Sequence, residues 1–386
     1  MVFLAGVAVF ALAAYVHPGR PGVTSPAGWF GGYDQSRYLR ITERLADWRL
    51  PTTGYLYGIG YPLVGVPLTW LGVGDPFTPM NALLFGLILL LTTLLGERLR
   101  GLGFGVIAGL AVALATPLLD ILVIPWNAMV VVPAILGALL LGTAARPLTW
   151  RGGAVLGLLV GLAFAARYVD AVFVAGIAAV ALLRPGRRST GAILAAGAAA
   201  AVVVGFVLYT HDHAFGSPWT TPYSLHRRGE VTDQDLAQYQ LERVPRHFVE
   251  VFVTGESDGV RQGGEPLLPA APWLVLAPVG LLAVFRWSHP ARLVLGVATV
   301  LSVLASAVYL SFAAGGGADL PVGGLRYFAP WFPLWGILAA LGLASLVFGP
   351  RSRRSTSKDE RSLKGLDSSS KADKIRTYVG DRGPPS

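Results

Sequence analysis

The sequence predicts an all-α polytopic membrane protein, and three observations lead there. Of 386 residues, 53% are hydrophobic and only 14% charged, with a mean hydropathy of +0.57; a soluble domain is nearer about 25% charged. The apolar residues gather in blocks of about 15–25, the length at which a helix crosses a bilayer. Short arginine-bearing turns separate the blocks. This pattern excludes a soluble globular domain, a disordered chain and a nucleic-acid-binding domain. The formal charge of +9 is therefore a topology signal.

In chain order the blocks are 1–16, 79–96, 101–118, 128–144, 152–167, 169–183, 190–210, 267–285, 291–314 and 326–348, about ten transmembrane helices. Residues 1–16 read as a retained first helix or as a cleaved signal peptide, and the membrane body behind them favours the retained helix. The turns Glu97–Arg100, Arg146–Arg151, Arg184–Arg188 and Arg286–Arg292 hold nine arginines against one acid. Cytoplasmic loops carry the Lys/Arg excess, so these turns are expected on the cytoplasmic side. The alternation closes if 17–54 is the first outside loop and 55–73 does not fully cross. Gly58, Gly60, Pro62, Gly65 and Pro67 suit 55–73 to a broken juxtamembrane helix in the outer leaflet, or a re-entrant piece. Residues 211–266 form the large outside loop, so 1–348 is one transmembrane domain. The Ser-, Lys- and Asp-rich segment 351–386 is expected to be a disordered cytoplasmic tail, its arginines suited to anionic membrane lipid.

Two scarcities narrow the chemistry. Without cysteine, disulfides, thiol catalysis and cysteine-ligated metals are excluded. All lysines (Lys358, Lys364, Lys371 and Lys374) lie in the tail, so the membrane body has neither a Schiff-base lysine nor a P-loop lysine.

Ionisable residues at membrane depth are costly and are functional candidates by default. Here they gather on the expected outer face. The first outside loop holds Tyr33, Asp34, Gln35, Ser36, Arg37 and Tyr38, followed by an amphipathic stretch to Trp48 that suits an interfacial helix. Asp34, near the start of that helix, is either an N-cap or an ionised general base for an acceptor hydroxyl. Asp120 falls in the short turn between two blocks, either solvated or sharing a cation or hydrogen-bond network with Asp34. Arg167 and Asp170, three apart, either neutralise each other or leave Arg167 facing the cavity. Arg326 opens the last block and is either a snorkelling anchor or a bidentate phosphate ligand. His226, Arg227 and Arg228 suit a phosphate or a lipid headgroup. His211 and His213 have a tempting metal spacing, but no third ligand is set by the sequence; the start of a solvated loop fits them better.

These stretches resemble the GT-C superfamily of integral-membrane glycosyltransferases, such as protein O-mannosyltransferases and the aminoarabinose transferase of lipid A. The resemblance rests on Tyr33-Asp34-Gln35-Ser36-Arg37-Tyr38 before an interface helix, and on Gly60-Tyr61-Pro62-Leu63 in the broken block. It rests also on Asp120 in the second outside turn, on the Gly-rich run 157–167 ending in Arg167, on Phe215-Gly216-Ser217-Pro218-Trp219-Thr220-Thr221-Pro222-Tyr223, and on Arg326-Tyr327-Phe328-Ala329-Pro330. Many relatives carry Asp-Glu in the first loop, where this chain has Asp34-Gln35. That leaves the second acid's role vacant, or with Glu43 or Asp120.

The resemblance implies inverting transfer of one sugar from a polyprenyl-phosphate-linked donor to a glycan, lipid or protein acceptor, on the extracytoplasmic face of the cell (plasma) membrane. Asp34 would be the base. Arg326, with Arg167 or Arg227, would hold the departing lipid phosphate, and Tyr33, Arg37 and Tyr223 would line the site. A divalent cation is compatible with Asp120, Glu43, His211 and His213. Two other readings stay open: a flippase or transporter of a lipid-linked sugar, and an inactive scaffold of the same fold. Transporters often pair two broken helices, whereas one broken segment is found here, which favours the enzyme.

Overall fold

The computed structural model describes residues 1–16, 33–52, 58–184, 189–220, 241–254, 256–257, 260–261, 266–286, 289, 291–311 and 327–348. Within those segments the side chains of 33, 34, 116, 117, 120, 121, 241, 256, 257, 260 and 261 lie outside the description. Every apolar block becomes helical. The helices are α1 (Val2–Val16), α2 (Tyr33–Ala46), α3 (Gly60–Trp70), α4 (Phe77–Arg100), α5 (Leu102–Ala113), α6 (Thr116–Val123), α7 (Ala128–Gly142), α8 (Trp150–Ala166), α9 (Tyr168–Leu183) and α10 (Thr190–Phe215). They continue with the short α11 (Val244–Val249) and α12 (Leu267–Ala270), then α13 (Ala277–Arg286), α14 (Arg292–Ser311) and α15 (Phe332–Phe348). A two-residue hairpin, β1 (Glu256–Ser257) with β2 (Val260–Arg261), is the β-structure among the described residues.

Phe77–Arg100, Thr190–Phe215, Arg292–Ser311 and Ala329–Phe348 are each long and apolar enough to cross a bilayer alone. Six further apolar helices of 10–17 residues account for the remaining blocks. This is an all-α polytopic membrane architecture. Residues Met1–Leu343 form one compact unit; of the second, Ala344–Ser386, the described part is the end of α15.

Helix α7 is the hub. It packs against α4, α8 and α9, and Met129 to Leu136 are all buried, as expected of a helix that is apolar on every side. Helix α10 lies along α8, and glycines set the spacing. A Cβ at Gly153 or Gly157 would run into the carbonyl oxygen of Ala192 or Ala196. Small residues four apart let two backbones touch where lipid supplies no hydrophobic drive.

Helix α2 is amphipathic as expected, with Tyr38, Ile41, Thr42 and Leu45 buried while Arg40 and Glu43 are exposed. It ends where Trp48 turns left-handed (φ 59°). Arg44 then donates to the Leu50 carbonyl from Nε and Nη2 (3.3 and 3.1 Å). Trp48 stacks on Trp70 at 5.4 Å, and Trp70 Nε1 donates to the Ala46 carbonyl (2.8 Å), tying α2 to α3. Helix α3 has 11 residues. At about 1.5 Å per residue it reaches ~16 Å, about half of a ~30 Å hydrocarbon core.

Three boundaries differ from expectation. The block 101–118 stops at Ala113, and Asp120, expected in a turn, lies in the separate helix α6. The block 267–285 is divided into α12, a 3₁₀ turn over Pro272–Leu276 and α13; Pro269 and Pro272 remove two of the amide donors that a continuous helix would use. Helix α10 runs on to Phe215, so His211 and His213 lie in its last turns rather than at the start of a loop.

Candidate active site

A continuous chain of contacts joins one end of the bundle. Gln35 Nε2 donates to the Pro125 carbonyl (3.4 Å), tying α2 to the turn after α6. In that turn Asn127 Nδ2 donates to the Ala166 carbonyl at the end of α8 (3.2 Å). Gly58 and Gly60 meet the same place, since a Cβ on Gly60 would fall 2.7 Å from the Ala166 nitrogen. Beneath them Tyr61 Oη donates to Asn81 Oδ1 (3.0 Å), and Asn81 Nδ2 donates to the Leu122 carbonyl (3.4 Å), binding α3, α4 and α6 together. Tyr61 also stacks on Phe77 at 4.6 Å. Gly58 and Gly60, which looked like helix breakers in the sequence, thus let the start of α3 lie against the end of α8.

The turn between α8 and α9 carries a buried polar cluster. Arg167 Nη1 pairs with Asp170 Oδ2 at 2.9 Å, with Asp170 wholly buried. Arg167 Nη2 donates to Tyr309 Oη (3.1 Å), and Tyr309 Oη donates to Asp170 Oδ1 (3.0 Å). The Arg167 guanidinium carbon lies 5.5 and 5.4 Å from the ring centres of Tyr309 and Tyr327, which stack on each other at 4.8 Å. Of the two sequence readings for Arg167, the structure selects pairing with Asp170. Tyr309, remote in sequence, had no signal of its own; a tyrosine near the end of an apolar block reads as part of the interfacial belt.

Beside this cluster, Tyr168 Oη is 2.9 Å from His211 Nε2, and His211 Nδ1 is 3.3 Å from the Pro218 carbonyl. A carbonyl only accepts, so Nδ1 carries the proton, and Nε2 accepts from Tyr168. His213 is exposed while His211 is buried. Two positions apart on a helix they point different ways, so the structure does not bring them together as a ligand pair. Among the described residues no three His, Asp or Glu side chains group as a metal site.

The other candidates divide by position. Asp34 lies in the first turn of α2, where a helix N-terminus favours a carboxylate; its side chain and that of Tyr33 lie outside the description. Asp120 is on α6, its side chain likewise outside. Arg37 is half-buried on α2 and Glu43 is exposed. Tyr223, Arg227 and Arg326 lie outside the described residues. Gln35, the residue after Asp34, is buried and uses its amide as a donor to a carbonyl, which an ionised carboxylate cannot do.

Sequence reasoning missed Glu250. It is buried in a π-helical turn that continues α11, over Glu250–Thr254. Arg246 Nε donates to its Oε1 (2.8 Å), while Oε2 is buried with no hydrogen-bond partner among the described residues. His247 Nδ1 lies 2.6 Å from the Leu310 carbonyl, and Phe252 meets Phe328 edge-on at 5.5 Å, so this turn packs beside Tyr309 and Tyr327. One acid among several in a long polar loop gives the sequence no sign of burial.

The opposite end is built differently. Arg98, Arg146, Arg151, Arg286 and Arg292 are exposed there, although Arg98 Nη1 also donates to the Leu140 carbonyl. Strong polarity and strong basicity thus occupy opposite ends of one helical bundle.

The architecture has a counterpart among solved structures. The crystal structure of ArnT from Cupriavidus metallidurans in the apo state superposes with a TM-score of 0.56 over 94% of this chain, at 16% identity. ArnT is a membrane glycosyltransferase of the GT-C superfamily. The fold is GT-C-like. The chain spans 62% of the ArnT chain's length. The archaeal oligosaccharyltransferase AglB from Archaeoglobus fulgidus, solved with an inhibitory peptide and a dolichol-phosphate, aligns over all of this chain and 52% of its own, at 15% identity and a TM-score of 0.48. No protein-family model and no curated protein sequence matches the chain.

Proposed function

We propose that this protein is a membrane glycosyltransferase that moves one sugar from a polyprenyl-phosphate carrier to an acceptor at the polar end of its bundle. The observation that carries the reading is the ArnT-like fold over nearly the whole chain. Within that fold, α2, which bears Asp34, is held by Gln35 to the turn that follows α6, which bears Asp120. The basic turns at the other end support placing the polar end on the extracytoplasmic face, by the positive-inside rule.

Asp34 takes the proton of the acceptor hydroxyl. The hydroxyl oxygen forms the new bond to the anomeric carbon from the side opposite the phosphate, which inverts that centre. The old C–O bond breaks with its electron pair on the lipid phosphate. Arg326 and Arg227 are the cations assigned to that phosphate; positive charge is needed where negative charge develops. The departing group is a phosphate ester that needs no nucleotide, in keeping with a membrane body that has no P-loop lysine.

The test is a transfer assay on purified full-length protein in detergent. A panel of radiolabelled polyprenyl-phosphate sugars is offered with a crude envelope acceptor fraction, wild type beside Asp34→Asn. Transfer by wild type and none by the variant is the expected result. Equal transfer by both removes Asp34 as the base, and no transfer from any donor removes the enzyme reading.

A further inference from the structure

Asp170 is wholly buried, and the Arg167 side chain retains 11% of its exposure. Burying an ion pair costs desolvation that its own attraction scarcely repays, so such a pair is weak evidence of a stabilising role. What this pair does instead is join segments far apart in the chain. Tyr309 is 142 residues from Arg167 and 139 from Asp170, yet its hydroxyl bridges the two. The bridge is directional: the hydroxyl accepts from the guanidinium and donates to the carboxylate. The stacked ring of Tyr327 lies against the same guanidinium. The chain leaves α14 after Ser311, two residues past Tyr309, and its description resumes at Tyr327. The start of α9, the end of α14 and the entry to the last helix therefore meet on one cation. An arginine suits this because its planar fork reaches two acceptors while its face meets aromatic rings; a lysine ammonium offers no such plane.

We propose that Arg167, Asp170 and Tyr309 are positioning residues for the proposed transfer. They hold Tyr327, the residue that follows Arg326 in the sequence, against the α8–α9 turn, and Arg167 is not itself the ligand of the lipid phosphate. The proposal rests on the reading of the protein as a polyprenyl-phosphate-sugar transferase.

The chain has no cysteine, so two introduced cysteines report distance without background. Val169→Cys and Val308→Cys, both exposed, carry spin labels that read the separation of α9 and α14 in the full-length protein. The same preparations are titrated with polyprenyl phosphate. Arg167→Lys, Asp170→Asn and Tyr309→Phe are each expected to broaden the inter-label distances and to weaken binding about tenfold. Tyr309→Phe is decisive, because it removes one oxygen and no charge, and it keeps the test open if the charge variants fail to fold. Unchanged distances and binding in Tyr309→Phe overturn the proposal. So does a loss of binding confined to Arg167→Lys at unchanged distances, which makes Arg167 a direct phosphate ligand. If wild type binds no polyprenyl phosphate yet the distances broaden in the variants, the positioning cluster stands and the proposed donor class falls.

Discussion

At the polar end of the bundle Arg167, Asp170 and Tyr309 are bonded to one another, and Tyr168 is bonded to His211. At the basic end Arg146, Arg151, Arg286 and Arg292 are exposed. Both ends are rich in polar groups, but the first draws a charged pair into a buried network, while these four arginines of the second stay at the surface. A charge drawn into a low-dielectric interior needs a partner of fixed geometry, and a charge left at the surface needs none. The difference separates two uses of arginine in one chain: Arg167 is drawn into a buried network that ties helices together, and exposed arginines bias which side of the membrane a turn occupies.

The predictions follow that contrast from the largest effect down. Asp34→Asn, at the polar end, is expected to lower transfer by about 10²–10⁴-fold, the usual worth of a general base. Insertion and thermal stability should match wild type; a variant that is both inactive and unstable would make Asp34 a structural cap of α2.

Gly157→Leu is expected to cost about 1–3 kcal/mol or more, because its side chain has only the Ala196 carbonyl to enter. Thermal unfolding in detergent reads the loss. Equal stability would mean that α8 and α10 can part without penalty, and that the bundle does not depend on this contact to present the α8–α9 turn.

Glu250 tests whether every buried charge at the polar end serves the fold. One of its oxygens is unpartnered among the described residues, and its cation, Arg246, is more than half exposed. Glu250→Leu is expected to leave stability within about 1 kcal/mol of wild type or to raise it. A fall of several degrees in unfolding temperature would give the carboxylate a structural role equal to that of Asp170.

The smallest effect belongs to the basic end. His289 Nδ1 accepts from the Ala291 amide at the start of α14 (3.1 Å). Partial burial, with the Arg184 charge nearby, holds its imidazole below the ordinary value of 6.5. The folded state therefore resists the proton that the unfolded chain accepts. The stability this contributes is present above pH 6.5 and lost as pH falls through the lowered value. Wild type should lose slightly more stability than His289→Ala between pH 7 and pH 5, and parallel pH profiles would remove the effect.

Much of the fold is legible in the sequence because a span needs length and apolarity, and both are local. The blocks 128–144 and 169–183 and the interface helix α2 are found within a few residues of where the sequence puts them. The misplacements fall where polarity misleads. His211 and His213 look like a loop but extend α10, because His211 is satisfied by Tyr168 and Pro218, which the sequence does not bring near it. Asp120 looks like a turn residue but rides a short helix that has Pro117 as its second residue and stops before Pro125. The candidate site was partly legible: its acids stand out because charge is rare in this chain. The pairing of Arg167 with Tyr309 has no local trace in the sequence. Gln35 read as a lost acid, whereas its amide is a donor to Pro125.

By itself the sequence determined where the apolar helices lie, which short turns carry exposed arginines and the short reach of α3. Each of these depends on composition within a window of about twenty residues, the thickness of a bilayer. Only the tertiary structure decided which polar groups satisfy each other: Arg167 with Tyr309, Tyr61 with Asn81, Gln35 with Pro125. In an apolar interior a polar group must find a partner wherever packing brings one within about 3 Å, and separation along the chain does not enter.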